Sequence, residues 1–231
     1  HKKIVYLRVE RKHQPRPIIV MSTKKSRIII TVIIVLLVII GFLLYVASTF
    51  LLVKKPNIYL YPKSKSQLTV KLEFPHGGTL VKSIPEYNNE WKIEVDSTGI
   101  INNRFDYLFY ESYMPNNWQT TSGWIVSRDS LSVFFKSNMK EYGFNRKEIN
   151  DFIIYWIPLL TENKYYIIYP QENEIIDKLI TLNISEKPDN LLRLFYVVKG
   201  TDTKEKISIH KVIKRFKREG YFVTEWGVVM L

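Results

Sequence analysis

Cysteine is missing from all 231 residues. That excludes a disulfide framework, a thiolate zinc site, a cysteine nucleophile and an acylated lipoprotein cysteine. Histidine is nearly as scarce, and after residue 20 only His76 and His210 occur. Neither belongs to a His-Glu-x-x-His segment or a pair at i and i+4, so no metal site is expected. Walker A, dinucleotide-binding and Gly-x-Ser-x-Gly patterns are lacking too, and no cofactor is expected. Acidic residues are scarce in one region only. Residues 1–55 hold 11 Lys and Arg against the single acid Glu10, a net +10 of the chain's +12. Residues 56–231 are close to neutral. Basicity confined to the flanks of an apolar run suits anionic lipid headgroups, and no nucleic-acid partner is expected.

What is abundant is apolar sequence. Ile28 to Val53 is a run of 26 residues with no charged side chain. As a helix it would measure ~39 Å, against a ~30 Å hydrocarbon core, so it is expected to span a lipid bilayer with room to tilt. A buried helix of a soluble core would show a polar stripe, and this run has none. A cleavable signal is the rival, with Val46-Ala47-Ser48 as its site, but the apolar part of such a signal is typically ~7–15 residues. Lys24, Lys25 and Arg27 on one side nearly balance Lys54, Lys55, Lys63 and Lys65 on the other. The shortness of the leading segment favours a single-pass signal-anchor with residues 56–231 outside the cytoplasm. Residues 1–27 form a basic tail, in which 1–20 read either as a true tail or as an extension preceding Met21. Only a residue or two separates Val53 from the first expected strand, so the domain is expected close to the membrane.

Residues 56–127 read as mostly β. Asn57–Tyr61 alternates, as does Leu68–Phe74, and Pro75-His76-Gly77-Gly78 followed by Thr79–Ile84 suggests a hairpin. Short strands are expected at Trp91–Val95, Tyr107–Glu111 and Gly123–Ser127. Residues 128–231 read as mixed. Leu131, Phe134, Phe135, Met139 and Tyr142 have helical spacing, with Gly143 as a C-terminal cap. Asn145 and Glu148 form a capping-box pattern opening a second helix, which Pro158 ends. Strands are expected at Tyr165–Tyr169, Leu179–Ile184, Leu191–Lys199 and Tyr221–Trp226, and a third helix at His210–Glu219. The expected class is α+β: one N-terminal transmembrane helix, then a β-rich domain with helices packed on an antiparallel or mixed sheet.

The segment Lys55-Pro56-Asn57-Ile58-Tyr59-Leu60-Tyr61-Pro62 resembles the opening of a group of bacterial envelope proteins that read Lys-Pro-x-Ile-Tyr-Leu-Tyr-Pro. The likeness continues at Pro85-Glu86-Tyr87 with Trp91, Tyr107–Glu111, Asn150-Asp151-Phe152 with Tyr155–Pro158, and Glu225-Trp226-Gly227. It implies one intact extracytoplasmic domain and carries no assigned activity.

Five residues stand out as candidates for one polar site. Asp151 and Tyr155, at i and i+4, fall opposite the apolar face of the second helix. Glu111 and Glu225 end aromatic strands, and Arg193 sits on an apolar strand, where it needs a carboxylate partner. They read either as a salt-bridge network or as a binding or catalytic site with a carboxylate pair. Tyr110, Tyr113, Trp118 and Trp124, around Asn116-Asn117, read as core, sugar-stacking or lipid-facing aromatics. His76 reads as a solvated hairpin tip. The expected function is a membrane-anchored, non-catalytic envelope module that binds a protein or glycan partner. The alternative is a tethered hydrolase acting on cell-wall or surface polysaccharide.

Overall fold

The computed structural model describes residues 23–211 and 216–231. The chain divides into two compact units, which meet in sequence between Ala47 and Ser48.

The described residues of the first unit form a helix, α1 (Thr23–Ser48), whose last residue already belongs to the second. Within it Lys24–Leu43 is long and apolar enough to cross a membrane. The apolar run outlasts the helix. Phe50–Val53, expected as its last turn, instead opens strand β1 (Phe50–Tyr61). A short apolar stretch suits helix or strand equally. Here Phe50–Val53 pairs with residues 112–115, Val53 also pairs with Val229, and Val53 is fully buried.

The second unit, Ser48–Leu231, is α+β. After β1 come β2 (Ser66–Glu73), β3 (Thr79–Ile84), β4 (Trp91–Val95), β5 (Leu108–Pro115) and β6 (Ser122–Ser127). Helices α2 (Leu131–Tyr142) and α3 (Arg146–Trp156) follow, then β7 (Tyr165–Glu172), α4 (Asn173–Leu179), β8 (Thr181–Ile184), β9 (Asn190–Thr201), β10 (Ser208–Ile209) and β11 (Phe222–Met230). Eight strands form a mixed sheet in the order β10-β6-β7-β9-β11-β1-β5-β3, and β4-β2-β8 form a separate antiparallel sheet. The parallel pairs are β9 with β11 and β6 with β10.

Side-chain alternation gives the large sheet two apolar faces. Leu192, Leu194, Tyr196, Trp226 and Val228 pack with Phe135, Phe152 and Trp156 of α2 and α3. Phe195, Val197, Val223, Ile58 and Leu60 pack with Val70, Leu72 and Ile93 of the small sheet and with Ile176 of α4. The large sheet is therefore the middle of three layers. The two halves of the chain interlock in it, since β1 lies between β11 and β5, and β2 pairs with β8. The capping box of α3 is present, with both the Asn145 and the Glu148 side chains engaged.

Three expectations do not hold. Leu68–Phe74 and Thr79–Ile84 are not a hairpin, because β2 belongs to the small sheet and β3 pairs with β5 at the edge of the large one. Gly78 makes that switch possible: a Cβ there would lie 2.8 Å from Met114 Sδ and 3.0 Å from the Tyr113 carbonyl. Residues 173–179, not read as helical, form α4. Of the third helix expected at His210–Glu219, residues 212–215 lie outside the described residues, and the flanking residues are not helical. Their backbone donors serve other elements, His210 N–H donating to Gly123 and Phe216 N–H to Tyr142.

Candidate functional site: a cleft at the bulge of the first strand

Pro56 has no N–H to give a ladder, so an interior strand accepts proline only at a bulge. β1 has one. From Val53 to Asn57 it advances four residues while β5 advances three, and from Lys54 to Asn57 it advances three while β11 advances two. One extra residue is thus inserted against both neighbours. At this point Lys55 has φ +55°, a left-handed conformation that costs a residue with a Cβ about 1–2 kcal/mol. Pro56 occupies space that a side chain on β11 would fill, since a Cβ on Gly227 would lie 3.2 Å from the proline ring.

The bulge turns Lys55 toward the helix-bearing face. Its ammonium lies 4.3 Å from the ring centre of Phe109, 4.8 Å from Tyr107 and 5.5 Å from Tyr155, and donates to the Tyr107 hydroxyl at 3.2 Å. These side chains line an open cavity of about 340 Å³ that also takes in Lys82, Arg104, Asp106 and Glu111. The cations rest on rings rather than on carboxylates. Lys82 lies 5.5 Å from the Phe109 ring centre and Arg104 5.0 Å from that of Phe105. Among the described residues none of Lys55, Lys82 and Arg104 forms an ion pair, whereas Asp106 pairs with Lys147 at 3.3 Å. Burial, and then the Glu111 charge, push the Tyr155 hydroxyl above the ordinary tyrosine range.

The five candidate residues fall into two groups. Glu111 and Tyr155 share the cleft. Asp151, one turn before Tyr155 on α3, accepts from the Tyr59 hydroxyl at 3.0 Å and from Lys147 at 3.1 Å. Arg193 and Glu225 lie on the opposite face of the sheet, in register on β9 and β11 and both fully buried. There Arg193 Nε donates to Glu225, Nη1 donates to Asp177 at 2.6 Å, and the Tyr110 hydroxyl donates to Glu225 at 2.7 Å. Burial, the largest single influence, opposes the charge on Arg193, but Glu225, Tyr110 and Asp177 together outweigh it and hold the guanidinium protonated. This is a buried ion-pair network joining β9, β11 and α4, and none of its residues lines the Lys55 cleft. Neighbours on one strand, such as Tyr110 and Glu111, point to opposite faces, so the sheet separates the groups.

Of the aromatic set, Tyr110 and Trp118 are buried in the core, while Tyr113 is about half exposed. His76 is exposed.

Two further clusters went unread in the sequence. Glu148 is fully buried beneath α3 and accepts from Tyr61 at 2.8 Å, Thr224 at 2.9 Å, the Asn145 N–H at 2.8 Å and both terminal nitrogens of Arg218. Every lone-pair direction has a donor, which makes it a pin between helix and sheet. Its place in the capping box was the only sequence signal. The second cluster is a chain in which Ser122 Oγ meets His210 Nδ1 at 3.1 Å and Nε2 meets Glu172 at 3.1 Å, with Tyr142 also donating to Glu172. The ring nitrogens are used in the reverse order to a hydrolytic triad. The N–H and carbonyl of Ser122 are both taken by the Gln119 side chain, so that N–H cannot serve an oxyanion. The chain reads as a tie holding β10 against β6 and β7. Among the described residues no three His, Asp or Glu side chains are grouped to hold a metal ion.

No protein-family model matches the chain, and neither a curated protein nor a solved structure is found to be similar to it.

Proposed function

We propose that this is a membrane-anchored, non-catalytic module of the bacterial envelope that binds a protein or glycan partner at the Lys55 cleft. α1 serves as a single-pass anchor, and the domain lies outside the cytoplasm. One observation carries the reading: the cleft offers aromatic rings and unpaired charges, while Glu225, a member of the expected carboxylate set, is committed to Arg193 on the other face of the sheet. The hydrolase alternative needs two free carboxylates on one side of a substrate. On the cleft side Asp151 is engaged by Tyr59 and Lys147, and Asp106 is paired with Lys147, which leaves Glu111 as the one cleft carboxylate without an ion pair among the described residues.

The test uses the full chain in detergent micelles mixed with isolated cell-wall sacculi. Co-sedimentation without release of reducing ends, and its loss in Tyr155→Ala, is the expected result. Release of reducing ends that Glu111→Gln abolishes would make the protein a hydrolase. Protease added to intact spheroplasts is expected to digest the domain, and membranes are expected to retain the chain through a carbonate wash. Protection of the domain, or recovery of the chain in the wash, would overturn the placement.

A further inference from the structure

We infer that the cleft takes an acidic saccharide, bound through its carboxylate or phosphate groups. The inference rests on the binding-module reading and names the ligand class of that site.

The chemistry of the lining makes three separate demands. The first comes from the cations. Lys55, Lys82 and Arg104 border one cavity and lack a carboxylate partner among the described residues. Each rests on the face of an aromatic ring, with ring centres 4.3–5.5 Å away. A ring face holds an ammonium or guanidinium weakly enough for an anion to claim it, since a charge-assisted hydrogen bond is the stronger interaction. Three such cations in one place call for an anionic group, and a flexible lysine can turn from ring to ligand without moving the backbone.

The second demand comes from Glu111. It lines the cavity and accepts no hydrogen bond among the described residues. Glu111 and Lys82 are register partners on β5 and β3, yet they form no ion pair. An ionised carboxylate only accepts, so its complement is a donor such as a hydroxyl. A bare anion, or a polyanion without hydroxyls, would be repelled by Glu111 and satisfy nothing there. A sugar that carries both an acid and hydroxyls answers the cations and Glu111 together.

The third demand is the apolar wall. The rings of Tyr107, Phe109 and Tyr155 bound the cavity, and Tyr155 is about one-third exposed at its rim. Sugar C–H faces pack on such rings. The cavity of about 340 Å³ sits at the lower end of the range for small-molecule sites, which fits one or two rings of a chain rather than a whole polymer. The openness of the cleft at the β3 edge lets a chain continue on either side.

The probes are oligogalacturonate and phosphomannan oligosaccharides, with methyl-esterified oligogalacturonate and neutral mannan as uncharged counterparts, and inorganic phosphate as the free anion. Titration calorimetry on the full chain in detergent micelles is expected to show binding of at least one acidic probe. Its affinity should fall roughly tenfold in Lys82→Gln and in Arg104→Gln, and fall with added salt. Both residues are exposed, so these variants should fold, and an unchanged melt confirms it. The uncharged counterparts should bind at least as weakly as the variants bind the acid. Three results would overturn the inference: uncharged sugars binding as tightly as acids, charge variants binding like the parent, or inorganic phosphate competing as well as the oligosaccharide. Failure of every probe would overturn it as well. In that case co-sedimentation with sacculi, and its loss in Tyr155→Ala, still decides the broader reading separately.

Discussion

Lys82 and Glu111 face each other across β3 and β5, yet the two charges do not pair. Directly opposed residues of opposite charge ordinarily attract, for about 0.2–1 kcal/mol. Here the ammonium leans toward Phe109, 5.5 Å from its ring centre, and Glu111 faces the cleft. Glu111→Gln is therefore expected to leave stability within about 0.5 kcal/mol of the parent. It should also bring the Tyr155 pKa down toward the ordinary range, because the Glu111 charge is the second cause of its elevation after burial. Thermal melts and an absorbance titration of the phenol check both. A destabilisation of several kcal/mol would show that Glu111 belongs to the framework.

Arg193 and Glu225 should behave in the opposite way. Arg193→Met leaves the Glu225 carboxylate buried without its cation, at a cost of about 3–5 kcal/mol. Glu225→Gln is milder, because Asp177 still faces the guanidinium. The double variant Arg193→Met, Glu225→Leu should recover much of the loss, since apolar replacements of a buried pair are often neutral. Denaturant unfolding of the three variants measures the coupling. An Arg193→Met protein as stable as the parent would disprove the reading of Arg193 and Glu225 as a framework pair.

Alkaline pH should unfold the domain cooperatively. Tyr59, Tyr110 and Tyr196 have pKa values held well above 10.0, by burial first and, for Tyr59 and Tyr110, next by the charges of Asp151 and Glu225. The folded state thus keeps protons that the unfolded chain gives up near pH 10. This contribution to stability is complete below that pH and is lost as pH rises above it toward the folded-state values. Phenolate absorbance and circular dichroism should change together above pH 10. Phenolate appearing stepwise while the fold persists would show these hydroxyls to be solvated.

Local signals carried much of the fold. The capping box of Asn145 and Glu148, the Gly143 cap and the alternation in β2 and the second half of β1 were legible because each rests on neighbours in sequence. What failed needed tertiary knowledge. Neither the hairpin nor the helix near His210 could be refused without knowing that Gly78 leads to another sheet and that the His210 and Phe216 N–H groups bond to Gly123 and Tyr142. The five polar residues looked like one site because parity along β5 and β11 gives sides only once the sheet is known. The bulge behind the cleft was hidden for the same reason: Pro56 is an interior strand proline, which requires a bulge, only once Phe50–Val53 is known to be strand rather than helix.

The end of α1 makes a prediction about where the domain begins. Phe50–Val53 supplies strand pairs to β5, and Val53 is fully buried. A chain starting at Ser48 should unfold cooperatively. One starting at Pro56 should be less stable by roughly 2–4 kcal/mol, from the loss of Val53 and part of Leu51 to the core. Equal midpoints in urea would mean that Phe50–Val53 adds nothing to the sheet.

Lys55 offers the sharpest separation of stability from binding. Its left-handed backbone suits glycine and penalises any side chain, β-branched ones most. Lys55→Gly and Lys55→Val both remove the ammonium, so the loss of its ring contacts cancels between them. What remains is chiefly the backbone term, and Lys55→Gly should be the more stable by about 1–2 kcal/mol. Against the parent, Lys55→Gly should lie within about 1 kcal/mol, because relief of strain offsets lost cation–π contacts of about 0.5–1 kcal/mol each and the entropy of a freer unfolded chain. Ligand binding should weaken in both. If instead Lys55→Gly were as unstable as Lys55→Val, the bulge would be held by the lysine itself. The ammonium would then be a structural plug in its ring of aromatics, with no freedom to turn toward a ligand.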